Sequence, residues 1–387
     1  MTKSDLIYDY VIVGGGAAGL QLALKMIAHP HFCDMKVAVI DRTPNESISK
    51  TWCYWEAGAG RWDHLIDHSW TKGLFYGKAG RMDFALDPYT YKQLNASTFV
   101  EYAKDEIIKS PICTWIEDEI KEVKEGSVVE IFGDRKHYRA QHVFDSRIDQ
   151  AFYADKEHIK VWQHFLGWEI ELERPYFDPR SFTMMDFRLR FEESTSFTYV
   201  LPISDQHALV EYTFFTPFLV EDGVYEEMLK QYLETYMGDI RYTIKRVEQG
   251  VIPMTDYPFA AHHQRAITKI GTAGGWVRPS SGYSFWRSGQ YAEQIIQNIV
   301  ARREISSGVA QNRWRWYDRL FLHILQNNNT SGPELFEAMY RYNDIGLLFR
   351  FLHEQTSIHE ELKLLSSLPS KPFLNAWMSI WTNRMKR

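Results

Sequence analysis

Residues 8–28, YDYVIVGGGAAGLQLALKMIA, constrain the fold more than any other part of the chain. YDYVIV is a largely apolar run, as expected of a buried parallel strand, and LQLALKMIA has helical periodicity. A second apolar run, KVAVID (36–41), ends in Asp41. The pattern predicts a strand–helix–strand unit with Gly14-x-Gly16-x-x-Gly19 at its first turn. Gly14 allows the tight turn, Gly16 lets the backbone approach a pyrophosphate, and Gly19 lets helix and strand pack closely. The helix N-terminus, opening at Ala17, presents free N–H groups to the phosphates. Asp41, with Arg42 beside it, falls about 20 residues past the motif, where an acid accepts from a ribose hydroxyl. These residues predict a dinucleotide site.

The motif serves NAD and FAD proteins alike, so a second glycine-rich segment is needed to choose. AITKIGTAGGWVRPSSGYSFWRSGQYAEQIIQNIVARR (266–303) reads as a strand, a turn and a long helix from about Phe285. This layout resembles the late flavin-contacting segment of FAD proteins of the glutathione-reductase type. There the strand ends in a Gly-Asp pair, whereas here Thr272 follows Gly271. The resemblance implies cofactor contacts at Gly271, Gly275, Gly282 and Tyr283. Between the two segments, 94–109 reads as a helix, and β-like runs over 112–144 end in Asp145-Ser146-Arg147. These runs read as a small inserted sheet returning toward the cofactor, or else as a surface β-meander. Arg147 is left with two roles, an FAD contact or a structural ion pair.

Residues 158–250 read as a sheet, with strand-like runs IKVWQHFLGWEIELE, FTMMDFRLRF, FTYVLPI and HALVEYTFF. In the second run Met185, Phe187, Leu189 and Phe191 alternate with Asp186, Arg188 and Arg190, predicting a half-buried strand in which Asp186 reads as exposed, with a second acid as the alternative. The expected organisation is α/β. A Rossmann-type FAD domain (1–150 and 251–303) carries an inserted antiparallel-sheet substrate domain (151–250) and a helical C-terminal region (304–387). In that last region Phe373, Leu374, Trp377, Met378 and Trp381 share one helical face. Lys363, Lys371, Arg384, Lys386 and Arg387 are its only charges after Glu361. Such a helix suits a membrane surface, and equally a face packed on its own domain.

Bulk composition narrows the function. The net charge of −6 gives no basic face for nucleic acid. Three cysteines, odd in number and widely spaced, fit a reducing compartment and no metal centre. No run reaches 18 apolar residues and no signal peptide is read, so a membrane contact is expected to be peripheral. An aromatic content of 15% suits either an aromatic core or a large apolar ligand. Oligomeric state leaves no mark.

Taken in order, VIVGGGAAGL (11–20), KTWCYWE (50–56), VFDSR (143–147), WQHFLGWEIE (162–171), MMDFR (184–188), YVLPIS…ALVEYTFF (199–215), EQGVIPM (248–254) and GTAGGWVRPSSGYSF (271–285) resemble the lycopene cyclases. The resemblance covers most of the chain. It implies a non-redox isomerisation: a ψ end of lycopene or a related acyclic carotenoid is protonated, the cation closes a ring, and a proton leaves. The products are γ-carotene and then β-carotene. It also implies reduced FAD, NAD(P)H as the electron source, and a location on the cytoplasmic side of the membrane.

The family's acidic strand residue maps onto Glu211 in LVEYT. Strand alternation puts Leu209, Glu211, Thr213 and Phe215 on one face. A carboxyl in an apolar pocket keeps its proton and can act as an acid. Glu211 is therefore the expected proton donor or cation stabiliser, unless an arginine such as Arg188 or Arg190 neutralises it. Trp52, Trp55 and Glu56 are further candidates for the pocket wall. His164 and His207 are read as ordinary histidines. The rival readings are an FAD monooxygenase or polyisoprenoid reductase on the same scaffold, a double-bond isomerase, and a non-catalytic carotenoid carrier.

Overall fold

The computed structural model describes residues 6–42, 50–310 and 313–385. Lys386 and Arg387 of the sequence reading lie outside them.

The first layer is a sheet built around the predicted unit. Strand Ile7–Val13 pairs in parallel with Val37–Asp41 on one side and His137–Asp145 on the other, with helix Ala17–Ala28 between the first two strands. Leu20, Leu22, Ala23 and Met26 of that helix are fully buried, as its periodicity requires. The ICTWI run does not join a separate small sheet. Its strand, Cys113–Glu117, lies parallel to Val37–Asp41 at the edge of the main sheet. The reason is helix Ala96–Lys109, which makes the connection a crossover, and a crossover returns the chain parallel. The remaining runs, Ile120–Lys124 and Val129–Gly133, form an antiparallel meander on the first half of His137–Asp145. The second half of that strand receives Ile267–Lys269.

The second layer is a seven-stranded sheet. Its order is Tyr242–Thr255, Lys160–Leu172, His207–Thr216, Ser196–Pro202, Ser181–Asp186, Lys72–Gly77 and Gly80–Ala85. Its last two strands come from within 1–150, the stretch assigned by sequence to the cofactor domain. A three-stranded sheet of Thr51–Ala57, Tyr89–Asn95 and His68–Trp70 accompanies the two layers.

The two faces of the second sheet differ. Val210, Tyr212 and Phe214 pack on helix Asp222–Met237 through Tyr225, Leu229 and Leu233. The opposite face carries Leu209 and Phe215 against the C-terminal helices Trp314–Asn327, Gly332–Tyr342 and Ile345–Leu352. Strand alternation in HALVEYTFF thus separates a sealed face from one that opens on a cavity.

Two sequence expectations are corrected here. The run FTMMDFRLRF is a strand only over Ser181–Asp186, with every residue buried. Asp186 is not exposed: it is fully buried, held by Arg188 and by the Tyr232 hydroxyl at 2.9 Å. The strand is covered on both sides, so the alternation beyond it belongs to a loop that turns to bring Arg188 back onto Asp186. In the C-terminal helix Ser370–Met385, the expected apolar face splits. Phe373 packs against the core and Ala376 and Ile380 are buried, while Leu374, Trp377, Met378 and Trp381 are exposed.

Candidate active site

Two groups of residues meet around one cavity of about 320 Å³. One wall is the open face of the second sheet, including Leu209, Glu211, Thr213 and Phe215. Another is the turn Ser280–Phe285, with Trp52 and Thr272 beside it. Helices of the C-terminal region close it with Phe321, Phe336 and Phe373, joined by Leu368 from the link between the last two helices.

At the glycine-rich turn, Gly14 has φ 108°, and a Cβ there would stand 2.0 Å from Ser146 Oγ. A Cβ on Gly19 would meet the Gly14 carbonyl at 2.1 Å, so both positions require glycine. Around Gly16 the space is open, with no heavy atom within 4 Å of an added Cβ. Gly16 is the N-cap of helix Ala17–Ala28, and no side chain caps it. The helix therefore presents unsatisfied N–H groups and its positive end to an open space, which is what a pyrophosphate needs. Asp41 ends its strand beside Gly15, with burial pushing its carboxyl above the usual range. Arg42 follows it and is exposed. Gly271, φ 59°, brings the second glycine turn beside the same helix, where a Cβ added to it would stand 3.3 Å from Ala18 Cβ. Gly275 and Gly282 also have positive φ, 73° and 74°.

Arg147 is committed elsewhere. Its Nε and Nη2 donate to Asp145 at 2.8 and 3.0 Å and its Nη1 to the Ile120 carbonyl at 2.9 Å, so the structural ion pair is the role observed.

Glu211 is 7% exposed and faces the cavity. Its one close hydrogen bond is from the Thr213 hydroxyl at 2.5 Å, two residues along the same face. Neither Arg188 nor Arg190 reaches it: Arg188 pairs with Asp186, and Arg190 donates to the Ser194 carbonyl. Among the described residues no cation forms an ion pair with Glu211. Burial, and then the charge of Glu248, push its carboxyl up to about 8. The group stays protonated where an exposed glutamate is ionised.

The neighbours of Glu211 are weakly acidic hydroxyls and a thiol. Tyr91 bonds Tyr199 at 2.8 Å and Tyr283 at 2.9 Å. Burial holds all three phenols well above their ordinary range and pushes the Cys53 thiol up to about 12. These groups remain neutral around the acid.

Trp52 lines the cavity and stacks on Phe285 at 5.2 Å. Trp55 does not line it. Three residues along the same strand it points to the other side, stacked on Phe349 at 4.4 Å and His353 at 4.7 Å. Glu56 is also removed from the wall, paired with Lys92 at 3.2 Å. His164 is a buried core histidine, stacked on Phe214 and bonded to Thr216, and His207 pairs with Glu169. Missed by the sequence reading were Glu248, Thr51, Tyr91 and Tyr199. Their signal was available only through strand register.

A family model described as lycopene cyclase protein matches residues 9–378. The chain belongs to the lycopene cyclase family. A search of curated proteins finds no match. Among solved structures, this family member resembles a geranylgeranyl bacteriochlorophyll reductase-like protein from Thermoplasma acidophilum. The TM-score is 0.65 at 12% identity, covering 95% of this chain and 98% of that one. It also resembles a flavin-dependent brominase, with TM-score 0.58 at 12% identity over 99% and 100% of the chains. A peptidyl tryptophan dihydroxylase gives 0.55 at 14%, over 90% and 79%. The fold is thus the mixed α/β fold of those proteins.

A raised carboxyl pKa has a stability consequence. Between the ordinary glutamate value and about 8, the native chain holds a proton that the unfolded chain has released, so stability falls as pH rises. The expected slope is about 1.4 kcal/mol per pH unit through that window. Glu211→Gln should flatten it and leave the variant more stable than the natural chain at pH 8. Denaturant titrations between pH 5 and pH 9 measure this.

Proposed function

We propose that the chain is an FAD-dependent lycopene β-cyclase. The observation that carries this reading is a carboxyl kept protonated inside a largely apolar, aromatic cavity that also touches the second glycine-rich turn. The open, uncapped helix end at Gly16, Asp41 at its strand end and the positive-φ glycines fit FAD bound in the glutathione-reductase manner. Gly14, Gly16, Ala17, Gly19 and Asp41 would hold its pyrophosphate and ribose. Gly271, Gly275, Gly282 and Tyr283 would lie toward its ring. Reduced at the expense of NAD(P)H, FAD would supply an electron-rich surface that stabilises a carbocation.

The chain's own residues do the rest. Phe215, Trp52, Phe321 and Phe336 form a wall for one ψ end of lycopene or a related acyclic carotenoid. Glu211 gives its proton to the terminal double bond, the neighbouring double bond closes on the resulting cation, and a proton leaves the new ring. The atoms of the substrate are conserved, and γ-carotene and then β-carotene result. Thr213 holds Glu211 facing the substrate. Aromatic faces stabilise positive charge without trapping it covalently, and the Cys53 thiol stays protonated, so it is a poor trap.

The exposed Trp377 and Trp381, stacked at 6.3 Å beside Leu374 and Met378, would seat the protein on the cytoplasmic membrane surface. Phe373 on the inward side of that helix lines the cavity, which offers an apolar route from lipid to site. No described helix is long and apolar enough to cross a membrane.

Two experiments test this. With lycopene in liposomes and dithionite-reduced FAD under anaerobic conditions, the natural chain should form cyclic carotenoid, and Glu211→Gln should lose activity by about 100-fold or more. Unchanged activity in the variant would remove Glu211 as the acid, and flavin-linked saturation or oxygenation of the lipid would replace the cyclase reading with a redox one. Trp377→Ala/Trp381→Ala should weaken sedimentation with anionic vesicles by about tenfold or more. Equal sedimentation would remove this helix as the membrane contact.

A further inference from the structure

A second buried carboxylate lines the cavity and has no part in the reaction just described. Glu248 lies on strand Tyr242–Thr255 and Glu211 on His207–Thr216. The strand between them, Lys160–Leu172, puts Gly167 opposite both: Gly167 pairs with Glu211 on one side and with Glu248 on the other. The two glutamates therefore share a face of the sheet, their backbones about 10 Å apart across two strand spacings. A side chain at 167 would stand between them. An added Cβ would meet Glu248 Cγ at 3.3 Å and Glu211 Cβ at 3.4 Å. The nearest atom to such a Cβ is Leu209 Cδ1, at 3.1 Å, so without a side chain at 167 a leucine methyl packs over the strand beside the two glutamates.

Their surroundings are unequal. Glu248 accepts from the Thr51 hydroxyl at 2.7 Å and lies 3.6 Å from Arg246 Nη2. Arg246 is itself shared with Glu169 at 2.6 Å. Among the described residues Glu211 has only the Thr213 hydroxyl. The other titratable groups facing it, Cys53, Tyr91, Tyr199 and Tyr283, are held neutral by burial. Of the remaining charged residues in the wall, Lys50 is exposed and Asp318 is matched by Arg278 at 3.0 Å.

We infer that Glu211 and Glu248 titrate as one electrostatically coupled pair across Gly167, with Glu248 carrying the charge and Glu211 the proton. Glu248 is thus a positioning residue that keeps the acid loaded. Two carboxyls on one face of a buried sheet resist ionising together near neutral pH, and the one with a cation beside it takes the charge. Burial raises both groups; Thr51 and Arg246 pull Glu248 back down, while the charge of Glu248 pushes Glu211 further up. Glu248 makes Glu211 a weaker acid but leaves it protonated to higher pH. The consequence for catalysis rests on the cyclase reading; the pairing itself does not.

The test is a pH titration of the substrate-free full chain, following protonated carboxyl bands by infrared difference spectroscopy with ¹³C-labelled glutamate. In Glu248→Gln the midpoint for Glu211 should fall by about one pH unit or more, and Glu248→Asp should keep most of the natural value. In Glu211→Gln the upper step should vanish and Glu248 should titrate at the lower midpoint of the natural chain. An unchanged or raised Glu211 midpoint in folded Glu248→Gln overturns the inference. If that variant does not fold, Glu211→Gln decides: a remaining step at the upper midpoint overturns it. A coupled titration in a chain that cyclises nothing upholds the pair and removes the cyclase. An active cyclase with independent titrations removes the pair alone.

Discussion

The desolvation of one carboxyl is the constraint on which the rest of the structure depends. Glu211 sits mid-strand, away from water and with no cation beside it among the described residues, so it holds its proton to about pH 8. Retaining a protonated acid requires that no cation be free to pair with it. Asp186 has its own arginine, Arg190 is turned to a backbone carbonyl, and the nearby phenols and thiol are kept un-ionised by burial. A carboxyl in this setting costs stability at neutral pH, and the hydrophobic packing of both sheet faces offsets that cost.

The two sheets divide the work. The parallel sheet ends its strands at an uncapped helix N-terminus and two glycine turns, a place for an anionic dinucleotide. The second sheet turns a sealed face to helix Asp222–Met237 and an open one to the cavity. The turn Ser280–Phe285 connects them, because its residues belong to the nucleotide half yet form cavity wall. In the proposed reaction this places the cofactor ring and the acid on one substrate end. Reductase-like and brominase structures share this fold, and a shared fold leaves the chemistry to the side chains of each site.

What the sequence revealed was what neighbours in sequence determine. The strand–helix–strand unit and its glycines lie within one short segment, and period-two alternation separated Leu209, Glu211, Thr213 and Phe215 from Val210, Tyr212 and Phe214 without any knowledge of the partner strands. Non-local facts were invisible. That Lys72–Gly77 and Gly80–Ala85 join the second sheet depends on pairing with Ser181–Asp186, far along the chain. Asp186 reads as exposed by alternation, and only a second layer of cover makes it buried. Trp55 and Trp52 look equivalent as letters, but an odd separation on one strand sends them to opposite sides. Glu248 belongs to the site only through the register across Gly167.

The central claim is that this chain rearranges its substrate with no net redox change. The most direct measurement is the mass of the carotenoid product after anaerobic turnover in D₂O, with NAD(P)H oxidation followed in the same vessel. The account predicts one deuterium gained for each ring formed, an otherwise unchanged formula, and no NAD(P)H consumed in proportion to product. A product enriched by two hydrogens, with one NAD(P)H oxidised for each, would contradict it and make the chain a reductase.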